Sequence, residues 1–168
     1  ERKKLIHQKY FIKVTKNIPQ KSGLGGGSMN AANILRYFIR RKIIKLNTKQ
    51  ISKIAEYIGS DVILGLDPTN SILNSKKKIK RYRNCKKLFT LVVKPTFGCS
   101  TKEIYSCVKK FDKVKFYNPQ KKMFNFNYLK KANNSLEKIA SKKYPTLIKV
   151  KTYLRNLEKP IFVRMSGS

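Results

Sequence analysis

A protein of mixed α and β structure, α+β or α/β, is what this sequence predicts. Apolar residues alternate with a period of two in some stretches and recur at helical spacing in others, and the two kinds of stretch follow one another along the chain. With 168 residues that are 40% hydrophobic, the chain can bury one substantial core or two small ones, so a folded protein is expected. No internal repeat or low-complexity linker breaks the pattern.

In chain order, Ile12 and Val14 alternate with polar neighbours as in a half-buried strand, which Pro19 ends. The segment Ser22-Gly23-Leu24-Gly25-Gly26-Gly27-Ser28 follows as a loop whose glycines reach conformations other residues avoid. From Asn30 onward Ala31, Ala32, Leu35, Phe38 and Ile39 fall at helical spacing. Thr48 is the expected N-cap of a second helix carrying Ile51, Ile54, Ala55 and Ile58, and Gly59 closes it, which leaves Asp61 just past a helix end. Leu88 to Val93 reads as a buried strand ending before Pro95. Ser100 and Glu103 form a capping box for a helix carrying Ile104 and Val108. Tyr144-Pro145 opens a further helix with Val150, Leu154 and Leu157 on one face, and Ile161 to Met165 reads as a last strand. A domain boundary is expected near Lys86, dividing residues 1–85 from 86–168. Because the chain opens on Glu1 rather than Met and stops just behind an apolar run, it reads as a piece of a longer protein.

Charge sets the widest bounds on function. Forty Lys and Arg against 8 Asp and Glu leave a net charge of +32, which attracts any polyanion. That charge is mostly Lys and is spread over nearly every segment. Its clusters, Lys76-Lys77-Lys78-Ile79-Lys80-Arg81 and Lys109-Lys110, lie between apolar elements as a solvated surface would. A solvated surface is therefore favoured over a dedicated nucleic-acid patch. No apolar run approaches the roughly 20 residues of a membrane helix, so a soluble, cytoplasmic protein with no membrane partner is expected. Cys85, Cys99 and Cys107 lack C-x-x-C spacing and read as reduced thiols. His7 reads as exposed and uninvolved.

The glycine segment carries the chemistry. A strand, a glycine turn and a helix N-terminus aim backbone N–H groups at a common point, which suits phosphate. The absence of Lys-Ser/Thr after the glycines excludes the Walker pattern, and Ser28 stands where the dinucleotide fingerprint needs its third glycine. A glycine cluster by itself also serves as a plain turn.

The wording around the loop narrows the choice. Lys16-Asn17-Ile18-Pro19, three residues, then Gly23-Leu24-Gly25-Gly26-Gly27-Ser28-Met29-Asn30-Ala31-Ala32 resembles the K-x-I-P-x-x-x-G-L-G-G-G-S-S-N-A-A signature of the GHMP kinases. Ile58-Gly59-Ser60-Asp61-Val62 is similar to that superfamily's G-[AS]-D-V-P segment, Asn134-Ser135-Leu136-Glu137 to N-D-L-E, and Met165-Ser166-Gly167-Ser168 to the opening of M-S-G-S-G. The likeness covers essentially the whole chain, in order. Met29 replaces the second loop serine, Ile63 the proline after Asp-Val, and Ser135 the aspartate of N-D-L-E. The K-x-N-L segment with its lysine would precede Glu1, and the glycine-rich end of the last motif would follow Ser168.

The resemblance implies an ATP-dependent kinase. The triple glycine points to the branch that transfers phosphate to the 2-hydroxyl of 4-diphosphocytidyl-2-C-methyl-D-erythritol, in the non-mevalonate route to isoprenoid precursors. The implied fold is α+β in two domains, the first resembling ribosomal protein S5 domain 2 with its N-terminal strands missing here, the second ferredoxin-like. The resemblance further implies that Lys16, Pro19, Gly23, Leu24, Gly25, Gly26, Gly27 and Ser28 meet ATP and that Ser28 also reaches Mg²⁺. It makes Asp61 the catalytic carboxylate beside the acceptor hydroxyl and Thr101 part of a substrate-facing loop. Another GHMP kinase, a catalytically incomplete fragment and a basic nucleic-acid-binding module remain as alternatives.

Overall fold

Small and branched side chains decide how the first third of the chain packs. The computed structural model describes residues 9–19, 22–76, 78–113, 117–158 and 160–167, and the fold is α+β. The chain forms two compact units: the first runs through Ile18 and takes Gly25–Ser71, the second takes Pro19–Leu24 and the chain from Ile72 onward.

In the first unit, α1 (Gly26–Arg40), α2 (Thr48–Ile58) and α3 (Val62–Gly65) enclose a core of Ala32, Ala55 and Val62, with Ala31, Ile63 and Leu66 packed on it. The core is narrow because alanine and glycine let the helices approach closely. A Cβ on Gly65 would lie 2.7 Å from Ala32 Cβ and 2.9 Å from Met29 Sδ. Tyr10 meets Phe38 edge to face, ring centroids 5.0 Å apart, which ties the opening segment to α1.

Helix α1 starts four residues ahead of Asn30, since Gly25, at φ +65°, is its N-cap and Gly26 and Gly27 are already helical. The cap of α2 is Asn47 rather than Thr48. Asn47 Oδ1 accepts from Gln50 N–H at 2.9 Å while Gln50 Oε1 accepts from Asn47 N–H at 3.0 Å, a reciprocal pair worth ~1 kcal/mol that puts Thr48 inside the helix. Gly59 does close α2, its N–H reaching Ala55 O at 3.0 Å. The four residues of α3 are too few to give a readable period.

The chain enters the second unit within β1 (Asn70–Leu73), which pairs with β2 (Ile79–Tyr82) in a hairpin. Asn74 builds the turn, its Oδ1 accepting from Lys76 and Lys78 N–H, so part of the basic cluster turns out to be a hairpin strand. Tyr82 crosses to the 3-10 helix Lys121–Phe124, with its ring against Phe124 and its hydroxyl donating to Pro119 O. Then come α4 (Thr101–Ser106), α5 (Phe126–Lys131), α6 (Leu136–Lys143) and α7 (Thr146–Asn156). Ile104, Met123 and Ala140 are buried here, as is Pro119.

The capping box at Ser100 is only half built. Ser100 Oγ accepts from Glu103 N–H, but the return bond runs through Tyr144, whose hydroxyl accepts from Ser100 N–H and donates to Glu103 Oε2, both at 3.1 Å. Helix α4 stops at Ser106, so Val108 lies beyond it, and Leu157 caps α7 as an exposed residue.

Three expected strands are absent from the ladders of the described residues: Ile12 to Val14, Leu88 to Val93 and Ile161 to Met165. Phe89 is fully exposed and Leu91 is 80% exposed, whereas a buried strand was expected. Apolar alternation prepares a strand, but only a paired strand completes its ladder of N–H and C=O groups, and among the described residues no strand is paired with these segments. No helix among them is long and apolar enough to cross a membrane. His7 lies outside the described residues.

Candidate active site

The head of α1 is uncapped. The first-turn N–H groups of Gly26, Gly27 and Ser28 have no intrahelical acceptor, Gly25 offers no side-chain cap, and no acidic residue stands in the turn. A Cβ on Gly25 or Gly27 would meet nothing within 4 Å, whereas one on Gly26 would face Ile18 at 3.7 Å. One side of the turn is therefore open, and its dipole and free donors favour negative charge there. Ser28, half-buried, is the third residue of α1 and so is not its N-cap.

Asp61 occupies the N-cap position of α3 in the same unit, yet its carboxylate caps nothing. It is exposed and accepts a long bond from Ser60 Oγ at 3.4 Å, while its carbonyl receives Leu64 N–H. Lys16 and Pro19 are exposed in irregular backbone, Leu24 is 38% exposed, and Thr101 heads α4 on its exposed side. Among the described residues no group of three or more His, Cys, Asp or Glu is gathered for a metal ion.

The second unit brings three distant segments together. Gly23, at φ +69°, begins the glycine turn, and its carbonyl accepts from Ser166 Oγ at 2.9 Å. Asn134 Nδ2 donates to Met165 O at 3.1 Å and to Gly167 O at 2.7 Å, while its Oδ1 accepts from Leu136 N–H. Glu137 Oε2 accepts from Met165 N–H at 3.1 Å and its other oxygen pairs with Lys151. Burial first, then the charges of Arg155 and Arg164, push the Lys151 ammonium below the ordinary lysine value. Ser135, in the place of an aspartate, donates to Asp112. Reasoning from sequence gave Asn134, Glu137 and Ser166 no individual role; their place in two family-like segments was the only signal.

Beside this assembly lies a largely apolar cavity of about 300 Å³, lined by Gly23, Leu24, Val92, Phe97, Leu154 and Met165 among others. Cys99 also faces it, its thiol pushed up by burial.

Comparison with known proteins identifies the family. Residues 1–73 match the GHMP kinases N terminal domain. The chain is 53% identical over its whole length to the 4-diphosphocytidyl-2-C-methyl-D-erythritol kinase of Pelagibacter ubique, of which it covers 60%. It is 31% identical, over 97% of its length, to the kinase of the same name from Clostridium beijerinckii, again covering 60%. With that of Clostridium botulinum strain Loch Maree it shares 32% identity over 84% of its length, covering 53%. No solved structure matches. The chain thus spans about 60% of the length of the first two relatives, and it belongs to the GHMP kinases.

Proposed function

We propose that the protein carrying this chain transfers the γ-phosphoryl group of ATP to the 2-hydroxyl of 4-diphosphocytidyl-2-C-methyl-D-erythritol, the compound for which its relatives are named. The observation that carries this reading is the open, uncapped first turn of α1 directly behind the glycine turn, in a chain 53% identical to such a kinase. Phosphoryl transfer needs positioning and charge stabilisation more than covalent help from the protein, and the residue types here suit those tasks. Gly23 to Gly27, with Leu24 between them, would wrap the triphosphate, Gly26 through Ser28 would present N–H groups to it, and Lys16 and Pro19 would border the nucleotide. Asp61, with its carboxylate free of any cap, would orient and deprotonate the acceptor hydroxyl. Thr101 would face the substrate.

The donor set fits Mg²⁺ held mainly by the nucleotide. The described residues gather no protein cage, and Ser28 on the first turn of α1 supplies a single hydroxyl, as suits a cation that keeps most of its waters. When bound, Mg²⁺ neutralises charge on the phosphates. The two-domain arrangement, S5-like over residues 1–85 and ferredoxin-like over 86–168, is part of the same proposal.

The test is direct. The full-length protein is incubated with MgATP and 4-diphosphocytidyl-2-C-methyl-D-erythritol, and the position of the new phosphate is read by ³¹P NMR. Phosphate on the 2-hydroxyl is expected; faster turnover on homoserine or mevalonate would overturn the substrate assignment.

A further inference from the structure

The hydrogen bonds of Asn134 do more than cap the turn before α6. Its amide donates to two carbonyls of one short segment, Met165 O and Gly167 O, and Glu137, from the same helix entry, accepts from Met165 N–H. Three bonds from one turn thus hold the end segment at two residues, Met165 by both its N–H and its C=O and Gly167 by its C=O. That segment then meets the glycine turn through backbone: Ser166 Oγ donates to Gly23 O, and a Cβ on Gly23 would lie 2.2 Å from Ser166 O. In the other direction, a Cβ on Gly167 would lie 2.9 Å from Gly23 O and 3.0 Å from Gly23 Cα. Both glycines sit at φ +69°, where L side chains are strained. Two glycines in left-handed conformation therefore meet face to face, with the end segment held by Asn134 and Glu137 and tied to Gly23 by Ser166.

We infer that Asn134, seconded by Glu137, is a positioning residue for nucleotide binding. It holds Met165–Gly167 so that Ser166 fixes the Gly23 carbonyl and with it the turn from which Gly25 and α1 follow. This rests on the kinase reading above, since the turn is what that reading assigns to the triphosphate. The pair acts through backbone and touches neither nucleotide nor acceptor.

Asn134→Asp in the full-length protein keeps the oxygen that accepts from Leu136 N–H and removes both donated bonds. Hydrogen exchange of the peptides covering 22–25 and 164–167 should speed up, and KM for ATP should rise about tenfold, while KM for the acceptor and the thermal midpoint stay near their original values. Ser166→Ala, at an exposed site, should raise KM for ATP in the same direction even if Asn134→Asp folds poorly. A purely structural role for Asn134 would instead lower the amount of active enzyme and leave KM for ATP unchanged. Unchanged KM for ATP in a folded Asn134→Asp, or in Ser166→Ala, overturns the positioning role while leaving the kinase reading intact. Failure of the unaltered protein to bind ATP analogues removes both, and direct titration of that protein tells the two failures apart.

Discussion

The carboxylate of Asp61 stands at the head of a helix that it does not cap, and this frees it for chemistry. An aspartate after a helix-closing glycine is commonly a turn residue whose side chain accepts a backbone N–H. Here Asp61 makes no such capping bond, and Ser60 Oγ donates to it at 3.4 Å. Asp61→Asn preserves size and removes the carboxylate to which the proposed mechanism gives the role of base. Turnover of the full-length protein should fall roughly 10² to 10⁴-fold with ATP affinity kept. As an exposed change that breaks no cap, it should move stability by about 0.5 kcal/mol or less. Turnover within a few-fold of the original would withdraw Asp61 from the mechanism. Its place in a family-like segment singled Asp61 out in the sequence, whereas the lack of a capping bond is a fact of geometry.

Glycines within one helical layer serve opposite ends, and substitution separates them. A Cβ on Gly27 meets nothing, so Gly27→Ala should leave the fold intact, and gain of the order of 0.5–1 kcal/mol of helix stability is expected. Its methyl group would nevertheless occupy the open side of the first turn, and ATP affinity should drop. A Cβ on Gly65 meets Ala32 Cβ at 2.7 Å. Gly65→Ala should destabilise the protein by about 1–3 kcal/mol through overpacking of α3 on α1. Chemical denaturation paired with nucleotide titration reads both effects. A Gly27→Ala protein that binds ATP as before would take the first turn of α1 out of the site. Helical periodicity identified α1, α2 and α7, because each carries enough turns for a period to show. It missed α3 and β1–β2, whose four residues apiece carry none, and α5, whose start depends on Asn125 accepting from Tyr128 N–H.

Over the whole molecule the net charge of +32 acts without specificity. Among the described residues two ion pairs involve lysine, Lys143 with Glu103 and Lys151 with Glu137, so most of the positive charge is answered by solvent and counterions. Binding to DNA at low salt should be measurable and should weaken about 10³-fold or more between 50 and 200 mM salt, as counterion release demands. Nucleotide affinity should change far less over that range. A titration in which sequence-selective DNA binding survives at physiological salt, while ATP analogues fail to bind, would favour the nucleic-acid reading over the kinase.

Composition and spacing by themselves determined the mixed α and β class, the positions of the long helices and the family-like segments in their order, since these depend on residue type and local period. Sequence also placed strands at Leu88 to Val93 and Ile161 to Met165, and there it overreached, because a strand is a relation between two segments and the period of one cannot supply the other. Only the tertiary structure decided that Asn47 rather than Thr48 caps α2, that Tyr144 completes the Ser100 cap from 44 residues away, and that Asn134 and Glu137 hold Met165 to Gly167 against Gly23. Each of these turns on which donor reaches which acceptor across a long stretch of chain, and that is set by packing, to which local residue patterns are blind.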